Sequence, residues 1–341
     1  MYIVTHRRLF FAITGILLLI ALGSIAFFRL PFSIDFTGGS LVEVAYTQAR
    51  PELSSIKEHV NQLALGETSL RESGTNGVIL RTRTLTPAEH EKVLTALGTG
   101  TLGTGDTMMA STTAKVLAKG TKTTIAATST ASTTAAGLTE LRFNSIGPSL
   151  GSELAIKALY ALAAVIIAIM LYIAWAFRRV SKPVSGWVYG AIVVVILFHD
   201  VIIPAGFYAI LCHFTGSQVD SLFVVALLAI LGYSVNDTIV IFDRVREHLH
   251  NNEHGKIKEP FEETVGKSIT ETLGRSINTS LTVVLALLAL VFIGSKDTVD
   301  FALVLLVGVV AGTYSSILLA APLLVPLAER FAKSPEIKKK K

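Results

Sequence analysis

Six stretches of this chain are apolar for long enough to cross a bilayer, and that constrains the fold before any motif is read. A crossing takes roughly 20 mostly apolar residues in a helix, because lipid offers no partner to an unpaired peptide group. The stretches are about Phe10–Phe28, Leu154–Phe177, Trp187–Leu211, Ser221–Phe242, Leu273–Ile293 and Phe301–Leu327. The sixth is long enough to tilt, or to end early near Pro322. Composition agrees: 51% hydrophobic, 16% charged and a mean hydropathy of +0.59 lie far from a soluble domain. The first stretch follows basic residues, as a signal peptide does. It is longer than a signal-peptide core, and no small-residue cleavage site separates it from LPFSIDF, so it is read as a crossing.

Lysine and arginine in short loops mark the cytoplasmic side. Arg7 and Arg8 precede the first crossing, and Arg178, Arg179 and Lys182 join the second to the third. Arg244, Arg246, Lys256, Lys258 and Lys267 join the fourth to the fifth, and Lys338 to Lys341 end the chain. All fall on one face, so both termini are expected in the cytoplasm. The opposite loops, His213–Asp220 and Gly294–Asp300, hold a single lysine between them. The net charge of +5 is therefore a property of cytoplasmic loops beside lipid, and no nucleic-acid partner is expected. The lone cysteine, Cys212, excludes an internal disulfide and reads as a small residue facing lipid or another helix.

The organisation expected is a cytoplasmic start and first crossing over residues 1–28, a head outside the membrane over 29–151, five crossings over 152–327 and a basic tail over 328–341. In the head, Leu41–Tyr46 alternates as a half-buried strand, with Gly38 and Gly39 supplying a turn or bulge before it. Leu53, Ile56, Val60 and Leu63 recur at helical spacing, and GVILRTRTL reads as a second strand. Thr86-Pro87-Ala88-Glu89 combines a capping box with proline at the first helical position. LTELRFNSIG alternates again, giving a small α+β domain. Between Gly98 and Gly137 the composition turns to Thr, Ala, Ser and Gly, which reads as a flexible insertion or as added edge strands built from threonines.

Three ionisable residues lie well inside apolar stretches: His199, Asp200 and Asp237. A charge at mid-bilayer costs at least ~2.5 to 3.5 kcal/mol, so such groups face a bundle interior or a wet cavity. Counting rise from the cytoplasmic ends puts Asp237 roughly 8 Å deep and Asp200 roughly 20 Å deep. Arg275, near the start of the fifth crossing, is placed to snorkel toward Asp237 or pair with it, and equally fits an ordinary basic flank. Asp237 has a structural reading too, satisfied by Ser234, Asn236 or a neighbouring helix, although an uncharged residue meets that need at lower cost. Ser276, Asn278, Thr279, Ser280 and Thr282 add a polar patch, and Pro204 follows Asp200 by one turn, where a kink frees a carbonyl. Together they describe a polar track suited to a proton; no oxygen cluster points to a metal, and no cofactor is expected. The sequons Asn236-Asp237-Thr238 and Asn278-Thr279-Ser280 fall inside crossings and are chance matches.

Several of these segments resemble one family. SIDFTGGSLVEV, with Asp35, Gly38 and Gly39, is similar to the signature after the first helix of SecF-type protein-export membrane proteins, and SIGPSLGSEL, with Gly147 and Pro148, to the signature entering the second. FHDV resembles the His-Asp motif of the third helix, GYSVNDTIVIFDRVRE the signature of the fourth, and TLGRSINTSLT the start of the fifth. The Ser-x-Asn-Asp form favours SecF over SecD. The resemblance implies an RND-type bundle of six transmembrane helices with a small α+β extracytoplasmic head, in the bacterial cytoplasmic membrane. It implies work beside a SecD-like subunit and the Sec translocon channel, with a YajC-like accessory subunit, on unfolded preproteins. Proton flow through Asp237, Arg275, Asp200, His199 and Asn236 then drives head movement, and no catalytic residue is expected. Two other readings stand beside it: a proton-coupled exporter of small molecules, and an intramembrane aspartic protease. The protease needs two carboxyls sharing a proton, and the depth estimate separates Asp200 from Asp237 by more than ~10 Å.

Overall fold

The computed structural model describes residues 2–98, 133–134, 137–178, 184–255 and 259–333. Most of the threonine-rich stretch, and the basic residues Arg179, Lys182, Lys256, Lys258 and Lys338–Lys341, lie outside the described residues. In chain order the elements are α1 (Tyr2–Thr5), α2 (Arg7–Phe28), α3 (Ile34–Thr37), β1 (Gly39–Tyr46), α4 (Leu53–Asn61), β2 (Ser69–Ser73), β3 (Gly77–Thr82) and α5 (Pro87–Gly98). Then come β4 (Thr133–Thr134), β5 (Leu138–Ile146), α6 (Pro148–Ala176), α7 (Gly186–Thr215), α8 (Ser221–His254), α9 (Phe261–Ile293), α10 (Lys296–Ser315), a π-helical turn (Ser316–Ala320) and α11 (Ala321–Lys333). The chain divides into two compact units, Ile34–Leu154 and the remainder.

The smaller unit is an antiparallel sheet in the order β2-β3-β1-β5-β4 with two helices on one face. The alternation in β1 puts Val42, Val44 and Tyr46 on that face, where Val78, Leu80 and Leu138 meet Ile56 and Val60 of α4 and Val93, Leu94 and Leu97 of α5. Each such side chain contributes roughly 1.5 to 3 kcal/mol of burial. Strand β2 was not legible from alternation: Ser69–Ser73 is a charged edge strand, and its hairpin partner begins after the turn Gly74–Asn76. Two glycine motifs meet here backbone to backbone. Gly38 has φ +75°, and a Cβ on it would stand 2.5 Å from the Pro148 Cα; a Cβ on Gly151 would stand 2.6 Å from the Gly38 nitrogen.

Among the described residues six helices are long and apolar enough to cross a membrane, so the chain is a multi-pass membrane protein, and the larger unit is built from them. In α7, α8 and the last span about half of the apolar window is buried, against 6% for α6 and 11% for α9, so those three form the centre. Close approach comes from small residues: Gly308 and Gly312 of α10 face Ile230 and Ser234 of α8, and Gly206 of α7 faces Ala21 of α2. Helix boundaries differ from the hydropathy reading on one side. Helix α8 runs past Phe242 to His254, and α9 begins at Phe261, well before Leu273. The reason is an amphipathic continuation, with Val245, Val265 and Ile269 buried together while Arg244 pairs with Glu271 at 2.5 Å and with Glu247 at 2.6 Å outside. The sixth span passes Pro322 without ending. Pro322 has no N–H for the preceding turn, and the π-helical turn Ser316–Ala320 sits there.

Candidate functional site

The polar residues of the bundle gather around α8 in two groups. The first holds Asp237, 4% exposed. Its Oδ2 is buried with no hydrogen-bond partner among the described residues, and the same holds for the Ser276 hydroxyl of α9. The charge of Arg275 and the Ser276 side chain act on this carboxyl from α9, but no ordinary hydrogen bond or ion pair closes to either among the described residues. Arg275 is exposed, as are Asn278 and Thr282 on α9 and Asn236 on α8. Beside Asp237, Tyr233 donates to Ser280 at 3.1 Å, and Ser280 and Thr313 of α10 share a hydrogen bond of 2.6 Å. The patch on α9 is largely self-satisfied, since Ser280 donates to the Ser276 carbonyl, Thr279 to that of Arg275 and Thr282 to that of Thr279.

In the second group, Asp200 and His199 of α7 are fully buried. Asp200 Oδ1 lies 2.8 Å from His199 Nδ1, Oδ2 accepts from Ser234 Oγ of α8, and His199 Nε2 lies 2.7 Å from the Tyr314 hydroxyl of α10. Thr238 of α8 and Ser316 of the π-helical turn share a hydrogen bond of 2.9 Å beside them. Pro204 lies inside α7 four residues after Asp200 and has no N–H for its carbonyl.

This geometry corrects the depth estimate. Ser234, which holds Asp200, is three residues from Asp237, only ~4.5 Å of helical rise. Counting inward from apolar boundaries failed because α8 runs on beyond Phe242, so the apolar boundary is not the end of the helix. The two carboxyls nonetheless do not meet: among the described residues Asp200 is engaged by His199 and Ser234, and no hydrogen bond joins it to Asp237. Asp35, Gly38, Gly39, Gly147 and Pro148 form no part of this cluster; all lie in the smaller unit, where Gly38, Gly147 and Pro148 form the glycine seat. Ser234, expected beside Asp237, holds Asp200 instead, and Tyr314 and Ser316 were missed as site residues, although the hydroxyl run Thr313–Ser316 inside an apolar stretch was a visible signal.

Fold and site together define a multi-pass membrane protein with an ionisable centre between packed helices. Residues 125–330 match the family described as protein export membrane protein SecD/SecF, C-terminal, and residues 23–49 match the SecD/SecF GG motif. The chain is 35% identical over 325 residues to protein translocase subunit SecF of Anaerolinea thermophila, covering 95% of this chain and 92% of that one. It is 46% identical over 186 residues to SecF of Thermobaculum terrenum, covering 54% and 56%. The crystal structure of SecDF, a translocon-associated membrane protein from Thermus thermophilus, superposes with a TM-score of 0.72 at 27% identity, over 96% of this chain and 38% of that one. This chain belongs to the SecD/SecF family and, within it, to SecF.

Proposed function

We propose that this chain is the SecF subunit of a Sec export machinery in a bacterial cytoplasmic membrane, with both termini inside, the small unit outside, and a proton passing through the bundle to drive movement of that unit during preprotein translocation. The observation that carries the proton is Asp237. A buried carboxyl with an unpartnered oxygen is costly when ionised, so its protonation state responds to small changes in its surroundings. Arg275 is the cation placed to bias that state, and Asn236, His199 and Asp200 extend the polar route. A change of charge at Asp237 then tips the packing of α8 against α9 and α10.

A second membrane chain is part of this reading. Arg275, Asn278, Thr282 and Asn236 are exposed on adjoining helices, and polar groups left against lipid cost several kcal/mol. A SecD-like subunit covering that surface fits the resemblance to a SecDF chain of which this protein spans 38%. The translocon channel, a YajC-like subunit and unfolded preproteins complete the assembly implied by the family. The test is export of a preprotein into inverted vesicles with and without a proton gradient. Asp237→Asn is expected to abolish the gradient-dependent increment while the subunit still assembles with its partners; a retained increment removes the proton from Asp237.

A further inference from the structure

The two buried aspartates differ in how they are satisfied. Asp237 keeps an oxygen without a partner among the described residues, whereas both oxygens of Asp200 and both ring nitrogens of His199 are engaged. Asp200 is 0% and His199 3% exposed, so neither side chain faces open solvent. Tyr314 gives this cluster a property that tight packing alone does not require. A hydroxyl both donates and accepts, so Tyr314 donates to His199 Nε2 when the ring is neutral and accepts from Nε2–H when it is charged. Each protonation state keeps its hydrogen bonds. Ser234 ties the cluster to the other aspartate: its hydroxyl donates to Asp200, its carbonyl accepts from Thr238 at 3.3 Å and Ser316 at 3.4 Å, and Asp237 follows it by one turn.

We propose that His199 and Asp200 form a second proton-binding locus of the bundle, positioned by Tyr314 and Ser234 and coupled through α8 to Asp237; the proposal rests on the proton reading given above. In uptake, a proton binds His199 Nε2, the ring becomes an imidazolium paired with the Asp200 carboxylate, and the Tyr314 hydroxyl turns from donor to acceptor. Release takes the same proton from Nε2 and restores the donor. The ionisable group in contact with the pair is Tyr314 from α10, and Asp237 lies one turn along α8 from Ser234, which holds Asp200. Helix α2, which lies against α7, carries none between Leu9 and Phe28, and α9 brings Arg275 to bear on Asp237. An ionised Asp237 favours the imidazolium and a protonated one disfavours it, so the two loci exchange a proton instead of filling together.

The test uses the full-length chain in lipid nanodiscs, 15N-labelled at its eight histidines, with His199→Gln assigning the signal. Should that variant not fold, the signal is assigned as the one perturbed by Tyr314→Phe, which removes a single hydroxyl. The ring-nitrogen shifts of His199 are followed against pH. His199 is expected to titrate, Asp237→Asn to move its midpoint to lower pH by removing a nearby negative charge, and Tyr314→Phe to move it by removing the two-way partner. Adding Ser234→Ala is expected to reduce the Asp237→Asn shift. A His199 signal independent of pH, or a midpoint unmoved by Asp237→Asn, overturns the proposal. A midpoint unmoved by Tyr314→Phe, or an undiminished shift in Ser234→Ala, removes the positioning role of that residue. Because export is not read here, the two failures separate. A pH-silent His199 with gradient-dependent export lost in Asp237→Asn defeats this inference alone. A coupled titration with that export intact defeats the functional reading alone.

Discussion

Gly38 and Gly312 are glycines for different reasons, and their substitution separates a backbone seat from a side-chain seat. Gly38 combines a positive φ with the backbone of Pro148 2.5 Å from where a Cβ would stand, and a backbone has nowhere to retreat. Gly38→Ala is expected to cost more than ~2 kcal/mol, from the left-handed conformation plus the clash. At Gly312 a Cβ would meet Ser234 Cβ at 2.9 Å and Oγ at 3.2 Å, so the obstacle is a side chain that also holds Asp200. Gly312→Ala is expected to cost about 1 to 3 kcal/mol by overpacking. Thermal unfolding of the purified chain in detergent measures both, and a Gly38→Ala protein as stable as wild type contradicts the seat. At this scale Asp237, Asp200 and His199 were legible because a charge in an apolar run is conspicuous. The pairings of Ser234 with Asp200 and of Tyr314 with His199 were not, since a lone hydroxyl disturbs hydropathy little and the partner is 34 or 115 residues away.

Among the elements, α5 starts as its sequence reads. The Thr86 N–H donates to Glu89 Oε2 at 2.8 Å, the Glu89 N–H reaches Thr86 Oγ1 at 3.4 Å, and Pro87 occupies the first helical position. Glu89 also pairs with Arg83, and these bonds pull its carboxyl from 4.5 down to about 2. A depressed carboxyl stabilises the folded state above its ordinary value, and that contribution fades as pH falls from 4.5 toward about 2. Hydrogen exchange in the first turn of α5, compared between wild type and Glu89→Gln, is expected to show better protection in wild type at neutral pH. The difference should shrink through that acid window; one that is constant with pH rules out the ionised cap. Elements with local chemistry of this kind are legible in sequence. The end of α8 and the start of α9 were less so, because a 20-residue hydropathy window stops where lipid stops, while the helices continue on burial in one core of Val245, Val265 and Ile269.

For the molecule as a whole, every statement about sidedness rests on the charge asymmetry of the loops, and the larger unit has a feature in keeping with it. Arg7 at the start of α2 lies 2.7 Å from Glu262 at the start of α9 and 3.7 Å from Glu329 near the end of α11, so three charged helix ends gather at one end of the bundle. Arg178 at the end of α6 lies over the Trp175 ring at 4.5 Å, an aromatic and cationic pairing suited to a membrane interface. The orientation proposed above puts Glu72, on the edge strand β2, outside and Glu253, at the tip of α8, in the cytoplasm. Both positions are exposed, so access depends on the membrane and not on burial. Cys212 is the only native thiol and is buried, and Cys212→Ala removes it as background. In intact cells an impermeant thiol reagent is expected to modify Glu72→Cys and to spare Glu253→Cys until the membrane is opened. The reverse pattern would invert the bundle, so that a proton entering from outside would approach Asp237 along α8 from the His254 end instead of the Ser221 end.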